Sequence, residues 1–228
     1  MREVPPAELR ATGPRRSAEV RFAESSQRLS MVKRVPVILV AIRAASGPGL
    51  ILAEWYGVSG RMLAAVVGLA FLSDVFDGIL ARRLGVASVA LRRADSVVDA
   101  VFYVSASLAL LRRAPVVLER NALGMAILVL LELSRALLER NRYGRVASYH
   151  MWSAKAWGIC LWLGFSEAFL TGAPGPLFRT AVVVGILADL EGLCASVILS
   201  RWHHDVPTVW HAVRIEQATG GTEGGTTR

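Results

Sequence analysis

Four aspartates, Asp74, Asp77, Asp95 and Asp99, fall on two successive apolar segments of this 228-residue chain. Asp74 and Asp77 are three apart, and Asp95 and Asp99 are four apart, so on helices each pair shares one face. A carboxylate at mid-depth in a membrane-spanning helix costs roughly 3 kcal/mol. Divalent cations would offset that cost. They prefer carboxylate oxygens, and a two-ion site needs ligands from at least two elements. Two such ions would bring four positive charges to the four carboxylates, hold a diphosphate and stabilise charge on its reacting oxygens. Gly78 follows Asp77 and removes a side chain where a ligand could approach the backbone. Arg82 lies on nearly the same face, within reach of a phosphate.

The elements that must position these groups are membrane helices. The chain is 54% hydrophobic and 19% charged, with mean hydropathy +0.45, a profile of a polytopic membrane protein. Six apolar segments approach the roughly 20 residues of a bilayer crossing. They are Val35–Ala53, Met62–Leu80, Asp95–Leu111, Asn121–Leu138, Ser153–Phe169 and Phe178–Ser200. Short connections predict one all-α bundle of six transmembrane helices over residues 35–200, with a polar cavity open to the cytoplasm. Residues 1–34 form a basic cytoplasmic arm, disordered or interfacial, and residues 201–228 an interfacial segment and flexible cytoplasmic tail.

The net charge of +8 comes without a nucleic-acid motif, so nucleic acid is not an expected partner. The basic residues cluster between apolar runs instead. Lys33 and Arg34, then Arg82, Arg83, Arg92 and Arg93, then Arg140, Arg142 and Arg145 mark one side. Arg112, Arg113 and Arg120 weaken the contrast without reversing it. The positive-inside rule then places both termini, and the ends of the spans carrying the aspartates, in the cytoplasm.

The stretch from Asp74 to Asp99 resembles the signature of the CDP-alcohol phosphotransferases (CDP-alcohol phosphatidyltransferases, class I), D-x2-D-G-x2-A-R-x8-G-x3-D-x3-D. Asp74, Asp77, Gly78, Ala81, Arg82, Asp95 and Asp99 fall in register. Leu91 stands where that pattern has its second glycine, and adds bulk where the nucleotide would pack. Arg43 with Pro48 is similar to the family's first span, and the likeness covers roughly residues 35–200. The resemblance implies a membrane transferase of phospholipid biosynthesis using two Mg2+ or Mn2+ ions. Asp74, Asp77 and Asp95 would be metal ligands. Asp99 would be the general base, also touching a metal. Gly78, Ala81, Arg82 and position 91 would face the nucleotide diphosphate. It further implies CDP-diacylglycerol or another CDP-alcohol as donor, a polar hydroxyl acceptor, release of CMP, and a homodimer as an open option.

Other polar residues carry weaker expectations. Arg43 is either a snorkelling residue or a phosphate contact in the cavity, and Pro48 should kink or break its helix. Arg135, Arg142, Arg145 and Lys155 surround the fourth loop, where a basic cluster would suit a phosphorylated acceptor. Glu132 and Arg135 are spaced to pair on one helix. Asp189 and Glu191 do not share a face, so one is expected to line the cavity and the other to pair with an arginine. His150, His203, His204 and His211 show no ligand pattern, and Trp202 and Trp210 read as interfacial anchors. Cys160 and Cys194 read as small buried hydrophobes without a disulfide. Three rival functions stay open. One is transfer of phosphocholine or phosphoethanolamine from a soluble CDP-alcohol to a lipid hydroxyl. The others are a non-catalytic membrane scaffold and a metal-cation transporter, which would distribute its acids through the membrane depth.

Overall fold

The computed structural model describes residues 14–86, 89–145, 149, 151–203 and 206–223. Among these residues the regular structure is wholly helical. The order is α1 (Pro14–Trp55), α2 (Gly60–Arg83), α3 (Val89–Arg113), α4 (Pro115–Tyr143), α5 (Trp152–Thr171), α6 (Pro176–Ile198) and α7 (Val209–Glu223). Each of the six apolar segments lies on its own helix, from α1 to α6. Four helical stretches are long and apolar enough to cross a membrane: Val35–Trp55, Gly60–Arg83, Ala94–Arg113 and Pro176–Ile198. α4 carries Glu132, Arg135 and Glu139 along its apolar stretch, and α5 carries Lys155 and Glu167. Helix also takes in residues 14–34 of the basic arm and reaches Glu223 in the tail.

Two expectations about local structure are corrected. α1 runs unbroken through Pro36 and Pro48. Pro48 therefore does not break the helix; it has no N–H to give the carbonyl four residues earlier, nearby Ser46 Oγ donates to the Arg43 carbonyl at 2.9 Å, and α1 packs on two neighbouring helices. Cys194 is exposed, not buried, while Cys160 is half-buried, and both are free thiols. Cys194 is on the outward face of α6, where large apolar side chains such as Leu187 and Val197 are also exposed.

Apolar exposure is general. Leu69, Leu123 and Leu130 are each more than 60% exposed, a pattern that lipid can solvate and water cannot without cost. Inside, Leu50, Leu63, Val67, Phe102, Leu110, Phe165, Phe169 and Phe178 form one core. A smaller cluster of Met151, Leu199, Val206 and Ala212 docks α7 onto the end of α6. Glu191, expected to cover either the cavity or an arginine, instead accepts a hydrogen bond from the Val209 N–H at 3.1 Å, at the α7 N-terminus. On the same helix, Glu216 accepts from the Ser200 N–H at 3.0 Å, and that bond holds its carboxyl below the ordinary range.

α1 packs against both α2 and α3, α2 against α5, and α6 against α4 and α5. The α1–α3 approach depends on Gly47, one turn beyond Arg43. A Cβ there would come within 3.3 Å of the Phe102 Cα and 3.1 Å of Ser105 Oγ. At the other end of the bundle, a Cβ on Gly60 would lie 2.0 Å from the Phe169 carbonyl oxygen, which is backbone. Gly60→Ala is therefore expected to force α2 and α5 apart, costing about 1–3 kcal/mol as overpacking does. Thermal unfolding in detergent checks this: the variant should melt below the parent, and an unchanged midpoint would count against the close approach.

Candidate active site

α1 carries Arg43 into the interior between α2 and α3, and the four aspartates close on it. Arg43 is 2% exposed. Its Nη1 donates to Asp74 at 2.9 Å, to Asp95 at 2.9 Å and to Asp99, and its Nη2 donates to Asp77. Nε donates to Ser73 Oγ at 3.3 Å, and that hydroxyl in turn donates to the Ala70 carbonyl at 2.8 Å. Three- and four-residue spacing on the two helices thus brings all four carboxylates together, as the sequence predicts. Arg43 does not snorkel: it is buried, and its donors go to the aspartates and Ser73.

The charge balance is uneven. Four carboxylates face one guanidinium, leaving three formal negative charges. Asp74, Asp95 and Asp99 each present an oxygen within 4.8 Å of the others. Oxygens on a common hard cation, each about 2.3–2.6 Å away, are separated by up to about that distance. The arginine already shows that a cationic group fits there. These residues suit divalent ions; Arg43 Nη1 now lies 2.9 Å from oxygens of Asp74 and Asp95, so an ion bound among those same oxygens would take its place.

The quartet is not uniform. Asp77 is buried, with its side chain 4% exposed, whereas the Asp99 side chain is 35% exposed. Asp74 and Asp99 line a cavity of about 720 Å3 that Asp77 and Asp95 do not. A Cβ on Gly78 would meet Arg82 Nη1 at 3.5 Å, so the arginine lies back over the glycine. Arg82 is exposed, Ala81 is buried, and Leu91 is half-buried at the start of α3.

The remaining basic residues separate. Arg135 lines the cavity and pairs with Glu132 at 2.7 and 2.9 Å, as its spacing predicts. Arg142 donates to the Ser196 and Val197 carbonyls at 3.1 and 2.7 Å, at the C-terminal turn of α6. Arg145 covers the Trp202 ring at 3.7 Å, and Lys155 lies 4.2 Å from the Trp152 ring. None of these last three lines the cavity. His203 Nδ1 lies 2.9 Å from the Arg201 carbonyl and His211 Nδ1 2.9 Å from Thr208 Oγ1; His150 and His204 lie outside the described residues.

Against this geometry stands one family match. The model of the CDP-alcohol phosphatidyltransferase family matches residues 29–188, well over half of the chain. The chain belongs to that family. The CDP-alcohol phosphatidyltransferases move a substituted phosphate group from a CDP-alcohol in lipid synthesis, act in membranes and use divalent metal. No curated protein and no solved structure matches the chain. The match covers every residue of the quartet and Arg43.

Some cavity residues escaped the sequence reading. Tyr103, one turn from Asp99, lines the cavity beside it, and its i+4 spacing was a usable signal. Trp157 carried no such signal, because its neighbours come from distant parts of the chain.

Proposed function

We propose that this CDP-alcohol phosphatidyltransferase moves a phosphatidyl group from CDP-diacylglycerol to a hydroxyl acceptor at the cytoplasmic side of a six-span bundle, releasing CMP. One observation carries the reading: four aspartates converge on one guanidinium at the edge of a largely apolar cavity. Acids spread through the membrane depth would have suited a cation pathway. Here they sit at one level. The apolar lining, with Phe71, Phe102 and Phe165, favours a lipid-linked donor over a fully water-soluble one.

Asp74, Asp77 and Asp95 would hold two Mg2+ or Mn2+ ions, with Asp99 touching one. When bound, the ions neutralise the diphosphate and polarise its reacting phosphorus. Arg43, displaced from the carboxylates, and Arg82, beside Gly78, would receive phosphate oxygens. Asp99 faces the cavity and takes the proton of the acceptor hydroxyl. The acceptor oxygen bonds to the phosphorus that bears the diacylglycerol. The bond from that phosphorus to the bridging oxygen breaks, and CMP leaves with the bridging oxygen and its electron pair. A base and a reacting phosphate held in one cavity supply proximity as well as charge.

Release of CMP tests the reading. The full chain in lipid nanodiscs, given Mn2+ or Mg2+ and CDP-diacylglycerol with a panel of hydroxyl acceptors, should liberate CMP. A folded preparation that releases none from CDP-diacylglycerol, nor from CDP-choline or CDP-ethanolamine with diacylglycerol, is not an enzyme of this kind. Release only from the soluble donors would reverse which side of the reaction carries the lipid.

A further inference from the structure

Two arginines at the far end of the bundle have no part in the aspartate site. Arg112 and Arg113 close α3, and with Glu54 and Trp55, which close α1, they line a pocket of about 720 Å3. Glu54 lies eleven residues beyond Arg43, and Arg112 thirteen beyond Asp99. At 1.5 Å per residue, the pocket stands about 17–20 Å along the helices from the carboxylates. The stretches Val35–Trp55 and Ala94–Arg113, each long and apolar enough to cross a membrane, both end at it. Trp55 and Tyr56 are exposed there, as aromatic side chains are at a bilayer surface. The pocket therefore belongs to the membrane interface away from the aspartates.

The two arginines are not equivalent. Arg113 is taken up: its Nη1 donates to Glu54 Oε2 at 3.0 Å and to the Val58 carbonyl at 3.3 Å. Glu54 is buried, and a buried acid needs such a partner. Arg112 has no such reason to be there. It is exposed, its guanidinium lies 4.6 Å from the centre of the Trp55 ring, and among the described residues no oxygen accepts its N–H groups. A guanidinium over an aromatic face can still present its edge to an anion. Its place also runs against the positive-inside bias, since the larger basic clusters lie toward the aspartate end.

Charge and shape select the ligand. Arg112, Arg113 and Glu54 together leave one positive charge, the complement of one phosphodiester. The opposite wall is the last turn of α5, from Phe169 to Gly172. The Gly172 N–H goes to the Ala168 carbonyl at 2.9 Å, and Thr171 Oγ1 donates to that of Glu167 at 2.8 Å. Among the described residues nothing donates to the next two carbonyls, of Phe169 and Leu170. The last carbonyls of a helix form its negative end and accept hydrogen bonds, so this wall suits hydroxyl groups. Leu52, one turn before Trp55, and Leu108, one turn before Arg112, are exposed toward the bilayer and offer apolar chains a surface to follow.

We propose that this pocket binds the head group of an anionic phospholipid. The phosphodiester lies between Arg112 and Arg113, a hydroxylated head alcohol meets the end of α5, and the acyl chains run along Leu52 and Leu108. The lipid occupies the leaflet opposite the aspartates, and its binding is independent of metal, CDP-alcohol and the transfer reaction.

Native mass spectrometry of the full chain, delipidated in detergent with chelator present, would compare phosphatidylglycerol with phosphatidylcholine. The parent should hold phosphatidylglycerol about tenfold more tightly, the worth of one charge-assisted contact. Arg112→Gln should bring the two lipids within about twofold of each other. Arg112→Lys keeps the charge but not the fork, so its preference should fall between those two. Arg120→Gln removes an exposed arginine of α4 that does not line the pocket, and it should match the parent. Equal affinity for the two lipids in the parent, a preference undiminished in a folded Arg112 variant, or the same loss in Arg120→Gln would overturn the proposal. Millimolar inorganic phosphate should leave the lipid in place; complete displacement would make this a site for free phosphate and overturn the lipid assignment.

Discussion

Asp99→Asn should lower CMP release by about 10²–10⁴-fold, the range that a positioned general base contributes, while leaving divalent-ion affinity within a few-fold of the parent. The two effects separate because of where the four carboxylates face. Asp99 lines the cavity with a 35% exposed side chain, so it can meet an acceptor hydroxyl. Asp77 is 4% exposed and does not line the cavity, so it can hold charge without meeting an acceptor. Asp77→Asn should therefore weaken ion affinity and turnover together. The amide in Asp99→Asn keeps an oxygen that can still touch an ion but cannot accept the hydroxyl proton. Mn2+ binding followed by electron paramagnetic resonance, beside CMP release on the same preparations, makes the comparison. If both variants lost ion affinity equally, the division between ligand and base would be wrong.

The quartet was legible in the sequence because its geometry is local. Three- and four-residue spacings on two adjacent helices fix which side chains share a face before any tertiary contact is known. Six helices were legible for the same reason, four of them with stretches long and apolar enough to cross a membrane, and so was the Glu132–Arg135 pair. What escaped was set by contacts distant in sequence. Arg142 looks like one more cytoplasmic arginine until its guanidinium is found on carbonyls of α6, 54 and 55 residues away. Lys155 stands in a tryptophan-rich turn, and only the structure shows it over the Trp152 ring. Asp189 reads as one of two acids in an apolar span; only the structure shows Arg135 and Trp157, from α4 and α5, set against glycines on either side of it. Arg43 was visible as an unusual charge, but its four partners are 31 to 56 residues away. The proline in its helix argued for a break that tertiary packing on α2 and α3 prevents.

Arg43→Met should show how much of the metal-free fold depends on that guanidinium. Removing it leaves four carboxylates facing one another, with Asp77 buried and without its arginine. Breaking a buried ion pair by deleting one partner typically costs about 3–5 kcal/mol, because the other charge stays desolvated. Methionine keeps most of the side-chain length and volume, so lost packing contributes little beside lost charge. In the presence of chelator the variant should therefore melt well below the parent. Saturating Mn2+ should recover most of the loss, since a ligand that binds only the folded state stabilises it by RT ln(1 + [L]/Kd). The parent should gain less from the same Mn2+, because binding there must first displace Arg43 from oxygens it already holds. The diagnostic quantity is the difference in melting temperature between chelator and Mn2+, which should be wider in Arg43→Met. A variant that melts with the parent in chelator would mean the carboxylates repel too weakly to need the arginine. A variant destabilised equally in both conditions would mean that Arg43 supports the fold through packing and does not occupy the place of the ions.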